Sequence, residues 1–132
     1  MKIKRKVCLT SLLMILLLVS WSSSAFAAVS LAVTPSYNFA TPQTNYWCQW
    51  DTVFTGDSGK WYCIELWHDS TKVQTFWNCS GNGWMATIDD YWGGASSGVH
   101  NAYFKVYRQT AYQTLTKASG VLLTVTRSVE VD

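Results

Sequence analysis

The side chains in this 132-residue chain best suited to chemistry are aromatic rings, with eight tryptophans and seven tyrosines among them. Five of the tryptophans fall in one stretch from Tyr46 to Cys79, YWCQWDTVFTGDSGKWYCIELWHDSTKVQTFWNC. Trp61, Trp67 and Trp77, joined further on by Tyr103 and Tyr107, recur at spacings that extended strands bring to one side of a sheet. Stacking against a sugar ring or another apolar face needs flat, rigid surfaces of this kind, because each ring offers a large contact area and little rotamer entropy to lose. The chemistry on offer is recognition rather than bond-breaking.

No other residues have the spacing of a catalytic or metal centre. A cysteine nucleophile needs an imidazole beside it, and nothing in the spacing brings His68 or His100 to a cysteine. The histidines and cysteines lack zinc-ligand spacing, and no run matches a calcium loop. Asp57 and Asp69 sit in separate turns, while Asp89 and Asp90 are adjacent and so point to opposite faces of a strand; these acids read as solvated turn residues. Glu65 is not marked by its neighbours as half of the carboxylate pair used in glycoside hydrolysis. The expectation is a non-catalytic protein with no cofactor and no metal. Asn78-Cys79-Ser80 fits an N-glycosylation acceptor, a match without meaning if the source is bacterial.

The N-terminus supplies the compartment. Lys2, Lys4, Arg5 and Lys6 precede the apolar run Leu12–Val19, and Ala25-Phe26-Ala27 is a small-x-small cleavage pattern. This order is that of a secretory signal peptide over residues 1–27, and the run is well short of the ~20 apolar residues of a spanning helix. Residues 28–132 are then one secreted domain, with no further segment for stable membrane insertion. The signal takes four basic residues with it and leaves six basic against eight acidic side chains. A mildly acidic domain without a basic cluster is not expected to bind nucleic acid or an anionic membrane.

The rings must be positioned by strands. Val29–Thr34 alternates and meets Pro35, which suits an edge strand, and Ser36–Thr44 reads as a loop. Asn45–Thr55 places Tyr46, Cys48, Trp50, Thr52 and Phe54 on a core face. Lys60–His68 places Tyr62, Ile64 and Leu66 inward, and Trp61, Cys63, Glu65 and Trp67 on the charged, outward face. A hairpin centred near Thr71 leads into Val73–Cys79, with Leu66 facing Phe76, Glu65 facing Trp77 and Cys63 facing Cys79. Trp84–Asp89 is a short strand and Tyr91–Gly98 a loop. Val99–Arg108 alternates Ala102, Phe104 and Val106 with Tyr103, Lys105 and Tyr107. Ala111–Gly120 reads as a loop, and Val121–Val131 closes the domain.

Export permits disulfides, and three cysteines allow one internal bond with a thiol left over. Cys63–Cys79 is favoured by the hairpin register, at roughly 3 kcal/mol in the chain-entropy model. Cys48–Cys63, Cys48–Cys79 and free thiols stay open, with Cys48 an inert buried thiol if unpaired.

Seven short alternating strands over Val29–Val131 resemble the immunoglobulin-like or fibronectin-like β-sandwiches of secreted bacterial proteins. The chain departs from antibody domains, whose cysteines link the second and sixth strands: strand six here has Ala102, Phe104 and Val106 instead. The resemblance implies an all-β, immunoglobulin-like antiparallel sandwich and no particular activity. In it, strands three, four and six share a sheet, with Trp61, Trp67, Trp77, Tyr103 and Tyr107 outward and Glu65 and Lys105 paired among them. The expected function is binding of a carbohydrate or extracellular protein through that face. Two other classes stay open: a bacteriocin-like inhibitor of a target protein, and a structural protein that self-associates through strand edges or the spare cysteine. A loop or a strand slip that buries the rings is the competing reading of the same residues.

Overall fold

The computed structural model describes residues 28–39 and 47–131, with the backbone alone for 37–39. The segment read as a signal peptide, Tyr46 and most of the loop before it lie outside these residues. The described chain is all-β. Its strands are β1 (Ser30–Phe39), β2 (Trp47–Thr55), β3 (Trp61–His68), β4 (Thr71–Ser80), β5 (Trp84–Tyr91), β6 (Gly98–Ala111) and β7 (Thr114–Val131). They form two antiparallel sheets ordered β1-β2-β5 and β4-β3-β6-β7. Strands one, two and five in one sheet and three, four, six and seven in the other make the two layers of a β-sandwich.

The core lies between the sheets and is built by simple alternation. Cys48, Trp50, Thr52 and Phe54 of β2 face Tyr62, Ile64 and Leu66 of β3 and Ala102, Phe104 and Val106 of β6, all essentially buried. Ring edges interlock across the layer, Trp50 on Phe104 at 5.7 Å and Phe54 on Tyr62 at 4.9 Å, the edge-to-face geometry that ring quadrupoles favour. The one polar side chain in this row, Thr52, donates to the Ala86 carbonyl at 2.7 Å. At one end the β2–β3 and β4–β5 turns dock by backbone bonds from Gly56 to Gly81 and from Gly81 to Lys60. Gly81 is required there, since a Cβ would lie 1.9 Å from the Asp57 carbonyl oxygen.

Several boundaries differ from the pattern reading. β1 runs past Pro35 to Phe39 through an irregularity between Pro35 and Tyr37. Pro35 sits on an edge strand, where its missing N–H costs no ladder bond. The loop read over Ala111–Gly120 is a tight turn at Tyr112-Gln113 followed by strand. Polar side chains close that hairpin: Ser119 Oγ accepts from the Arg108 N–H, and Thr110 bonds Thr116.

The largest correction concerns the β3–β4 hairpin. Its turn is Asp69-Ser70, with Asp69 at φ 50°, a left-handed conformation that aspartate tolerates. Leu66 therefore pairs with Gln74, Glu65 with Thr75 and Ile64 with Phe76. A bulge follows at Asn78, φ 60°, after which Cys79 lies opposite Tyr62. Relative to the expected register this end of the hairpin slips by one residue, and a one-residue slip sends a side chain to the other face. Trp77 precedes the bulge and stays outward, whereas Cys79 turns into the core and Cys63 stays on the outer face. The expected Cys63–Cys79 disulfide does not form, and all three described cysteines are free and buried. Burial pushes the Cys48 and Cys79 thiols up to about 12 and Cys63 to about 11, so none is a nucleophile near neutral pH.

Candidate ligand-binding face

The outer face of the four-stranded sheet is made by the odd positions of β3 and β6, which share a register: Trp67 opposite Tyr103, Glu65 opposite Lys105 and Cys63 opposite Tyr107. Trp61 lies at one end of this row, and Trp77 flanks it from β4. Trp61, Trp67, Trp77 and Tyr103 are each partly exposed, with none in the core cluster. Tyr107 differs from expectation: it is only 9 % exposed, because the ammonium of Lys117 sits 3.9 Å over its ring. It supports the face rather than presenting a surface. Tyr112, in the stretch whose sequence reads as a loop, packs tilted against Trp61 with centroids 4.5 Å apart and extends the ring row.

Glu65 anchors this layer. Although it points away from the core, it is 1 % exposed. Its Oε2 lies 2.5 Å from Lys117 Nζ and 3.5 Å from Lys72 Nζ, and its Oε1 accepts from Trp67 Nε1 at 3.1 Å. Burial alone would raise the carboxyl, but hydrogen bonds from Lys117, Trp67 and Tyr107 outweigh it and hold Glu65 below its ordinary value. The reciprocal effect, burial followed by the Glu65 hydrogen bond, pushes the Tyr107 hydroxyl up to about 12. The expected Glu65–Lys105 pair is present as a backbone register only. Lys105 instead places its ammonium 4.1 Å over the Trp67 ring, and two lysines from β4 and β7 take the carboxylate. Lys117 could not be found by pattern, since it comes from the stretch read as a loop.

Two further features border the rings. Gln109, 2 % exposed, reaches from β6 to the bulge: its Oε1 accepts from the Asn78 N–H and its Nε2 donates to Asn78 Oδ1, each at 2.8 Å. On the other side, exposed Thr124, Thr126 and Ser128 of β7 lie opposite Lys105, Tyr103 and Asn101.

A second polar cluster, with no signal in the sequence spacing, lies inside the sandwich. Asp90 follows Ile88 on the inward side of β5, so alternation places it in the core, 1 % exposed, while Asp89 faces out. Its Oδ2 accepts from the indole N–H groups of Trp50 and Trp92, both at 2.9 Å, and its Oδ1 lies 2.5 Å from His68 Nε2. Trp92, read as a loop aromatic, is buried and stacks on His68 with centroids 3.5 Å apart. Cys48 Sγ lies 3.9 Å from Asp90 Oδ2. Thiol, carboxylate and imidazole thus adjoin, and burial followed by the Asp90 charge pushes the Cys48 thiol up to about 12. Among the described residues no group of three or more His, Cys, Asp or Glu side chains is arranged to hold a metal ion.

Nothing matches. No family model, no curated protein and no solved structure resembles the chain closely enough to lend it a family. The functional reading therefore rests on the geometry of this face.

Proposed function

We propose that this protein is a secreted, non-catalytic binding module that recognises carbohydrate through the outer face of the β4-β3-β6-β7 sheet. The observation that carries the reading is the gathering of Trp61, Trp67, Trp77 and Tyr103, all partly exposed, around one buried carboxylate that ties Trp67 in place. A fixed ring loses little freedom when a sugar stacks on it. The hydroxyl row of Thr124, Thr126 and Ser128 supplies neighbouring groups that donate to and accept from sugar hydroxyls. Contiguous aromatic surface bordered by polar side chains is the usual mark of a binding site.

The test is titration of the mature protein with soluble polysaccharides, followed by tryptophan emission and by calorimetry. Emission is expected to shift on binding, with Trp67→Ala and Trp77→Ala each weakening affinity by about two- to tenfold while circular dichroism stays that of the parent. A broad glycan panel without response, or unchanged affinity in both folded variants, ends the reading.

A second reading, self-association, has one observation in its favour. β7 is an edge strand, and Leu115, Val121 and Leu122 on it are each about half exposed. Light scattering that rises in apparent mass with concentration, and is unaffected by reductant, would favour it over a monomeric binder.

A further inference from the structure

Resting on that reading, we infer that the polysaccharide is an acidic one, carrying carboxylate or sulfate groups along its sugar rings. Charge distribution is the first reason. Lys72, Lys105 and Lys117 share the ring face with one nearby carboxylate, Glu65. Of the other described charges, Lys60, Arg108 and Arg127 are outnumbered by Asp51, Asp57, Asp69, Asp89, Asp90 and Glu130. A basic face on an acidic body steers a polyanion to that face.

The second reason is local. Lys117, at 2.5 Å, satisfies Glu65 together with Trp67, leaving Lys72 as the looser partner at 3.5 Å with its side chain 48 % exposed. Lys105 has its ring contact, at 4.1 Å over Trp67. An ammonium over an exposed ring gains only about 0.5–1 kcal/mol. It also occupies a ring face that a sugar would use. A neutral sugar has to displace that ammonium and gives it no counter-charge in return. A sugar bearing a carboxylate or sulfate can take the ring face and pair with the displaced Lys105 in the same event, with Lys72 within reach of the next charge along the polymer. The lysine that blocks a neutral ligand becomes a contact for an anionic one, so the same geometry discriminates against neutral chains.

The experiment pairs polymers that share a backbone. The mature protein is titrated with polygalacturonate and its fully methyl-esterified form, and with dextran sulfate and dextran, with polyglutamate as a polyanion lacking sugar rings. Binding is expected for one or both acidic glycans, at least about fivefold weaker for each neutral counterpart, and weakest for polyglutamate. Affinity for the acidic glycan should fall by about an order of magnitude from ~0.1 to ~1 M salt, as the screening length shrinks from ~10 to ~3 Å. Lys72→Gln and Lys105→Gln should each weaken that binding about two- to fivefold and flatten the salt dependence. Lys60→Gln, in the β2–β3 turn, should not. Equal binding of esterified and free-acid polymer overturns the inference and leaves carbohydrate recognition standing. Polyglutamate binding as tightly as the acidic glycans overturns both, since rings then play no part. Absence of binding to every polymer also overturns both.

Discussion

Replacing Asp90 by alanine tests the internal organisation of this domain most directly. The carboxylate is a single acceptor hub for Trp50, Trp92 and His68 at 2.9, 2.9 and 2.5 Å, with its side chain fully buried. Alanine strands two indole N–H groups in the core, takes the partner from the partly exposed His68 imidazole and leaves a small void. A stranded buried donor costs about 1–3 kcal/mol. The three losses are not additive, since Trp92 is free to swing outward once its anchor is gone, so the expected total is about 3–5 kcal/mol. That is a large share of the ~5–15 kcal/mol a domain of this size commands. In guanidinium, with a slope of roughly 2–3 kcal/mol/M, the midpoint should fall by ~1–2 M. Asp90→Asn keeps the shape and can turn its oxygen toward both indoles and its amide toward His68, so its cost should be about half as large. Asp89→Ala, one residue away on the outer side, should stay within about 0.5 kcal/mol. The assay is equilibrium unfolding followed by tryptophan emission, with far-ultraviolet circular dichroism as a second probe. An Asp90→Ala midpoint within ~0.3 M of the parent would refute the hub, because two stranded buried indole N–H groups cannot be so cheap.

Other outcomes follow from the same structure. The Asp69–His100 pair, 2.7 Å apart, should make stability depend on pH. Asp69 is held below its ordinary 3.8 by the Asn101 N–H and then by His100, so its contribution is present above that value and is lost as pH falls through the folded-state value. His100 is held above 6.5 by Asp69 and then by the Ser96 carbonyl, so its contribution is complete below 6.5 and disappears as pH rises through its folded-state value. The melting temperature difference between the parent and Asp69→Asn should therefore be greatest between about pH 4 and 6.5 and shrink on either side; a difference that is flat from pH 3 to 9 excludes the linkage. The buried thiols should resist alkylation in the native protein and all react once guanidinium unfolds it, and reductant should leave both mass and melting temperature unchanged. A loss of two mass units from the reduced form would contradict the free state of Cys48, Cys63 and Cys79.

Much of the fold could be read from alternation. The inward rows of β2, β3 and β6 show in the sequence because side-chain direction along a strand depends only on whether a position is odd or even. The same rule placed Trp61, Trp67 and Tyr103 together on the outer face, and it could have placed Asp90 in the core had Ile88 been followed two residues further. Residue type points the other way for Asp90, since a carboxylate is usually solvated unless donors that lie far away in the sequence converge on it.

Sequence alone determined the number of strands, their faces and the aromatic content of one sheet, since all of these follow from period-two patterns within a few residues. Tertiary structure decided the rest. A bulge at Asn78 turned Cys79 away from Cys63, Lys117 arrived from 52 residues along the chain to neutralise Glu65, and Asp90 met Trp50 from 40 residues away. Cross-strand register accumulates turn lengths and bulges, so an error of one residue at Asp69 or Asn78 leaves each strand's own pattern unchanged and yet redirects every partner it meets.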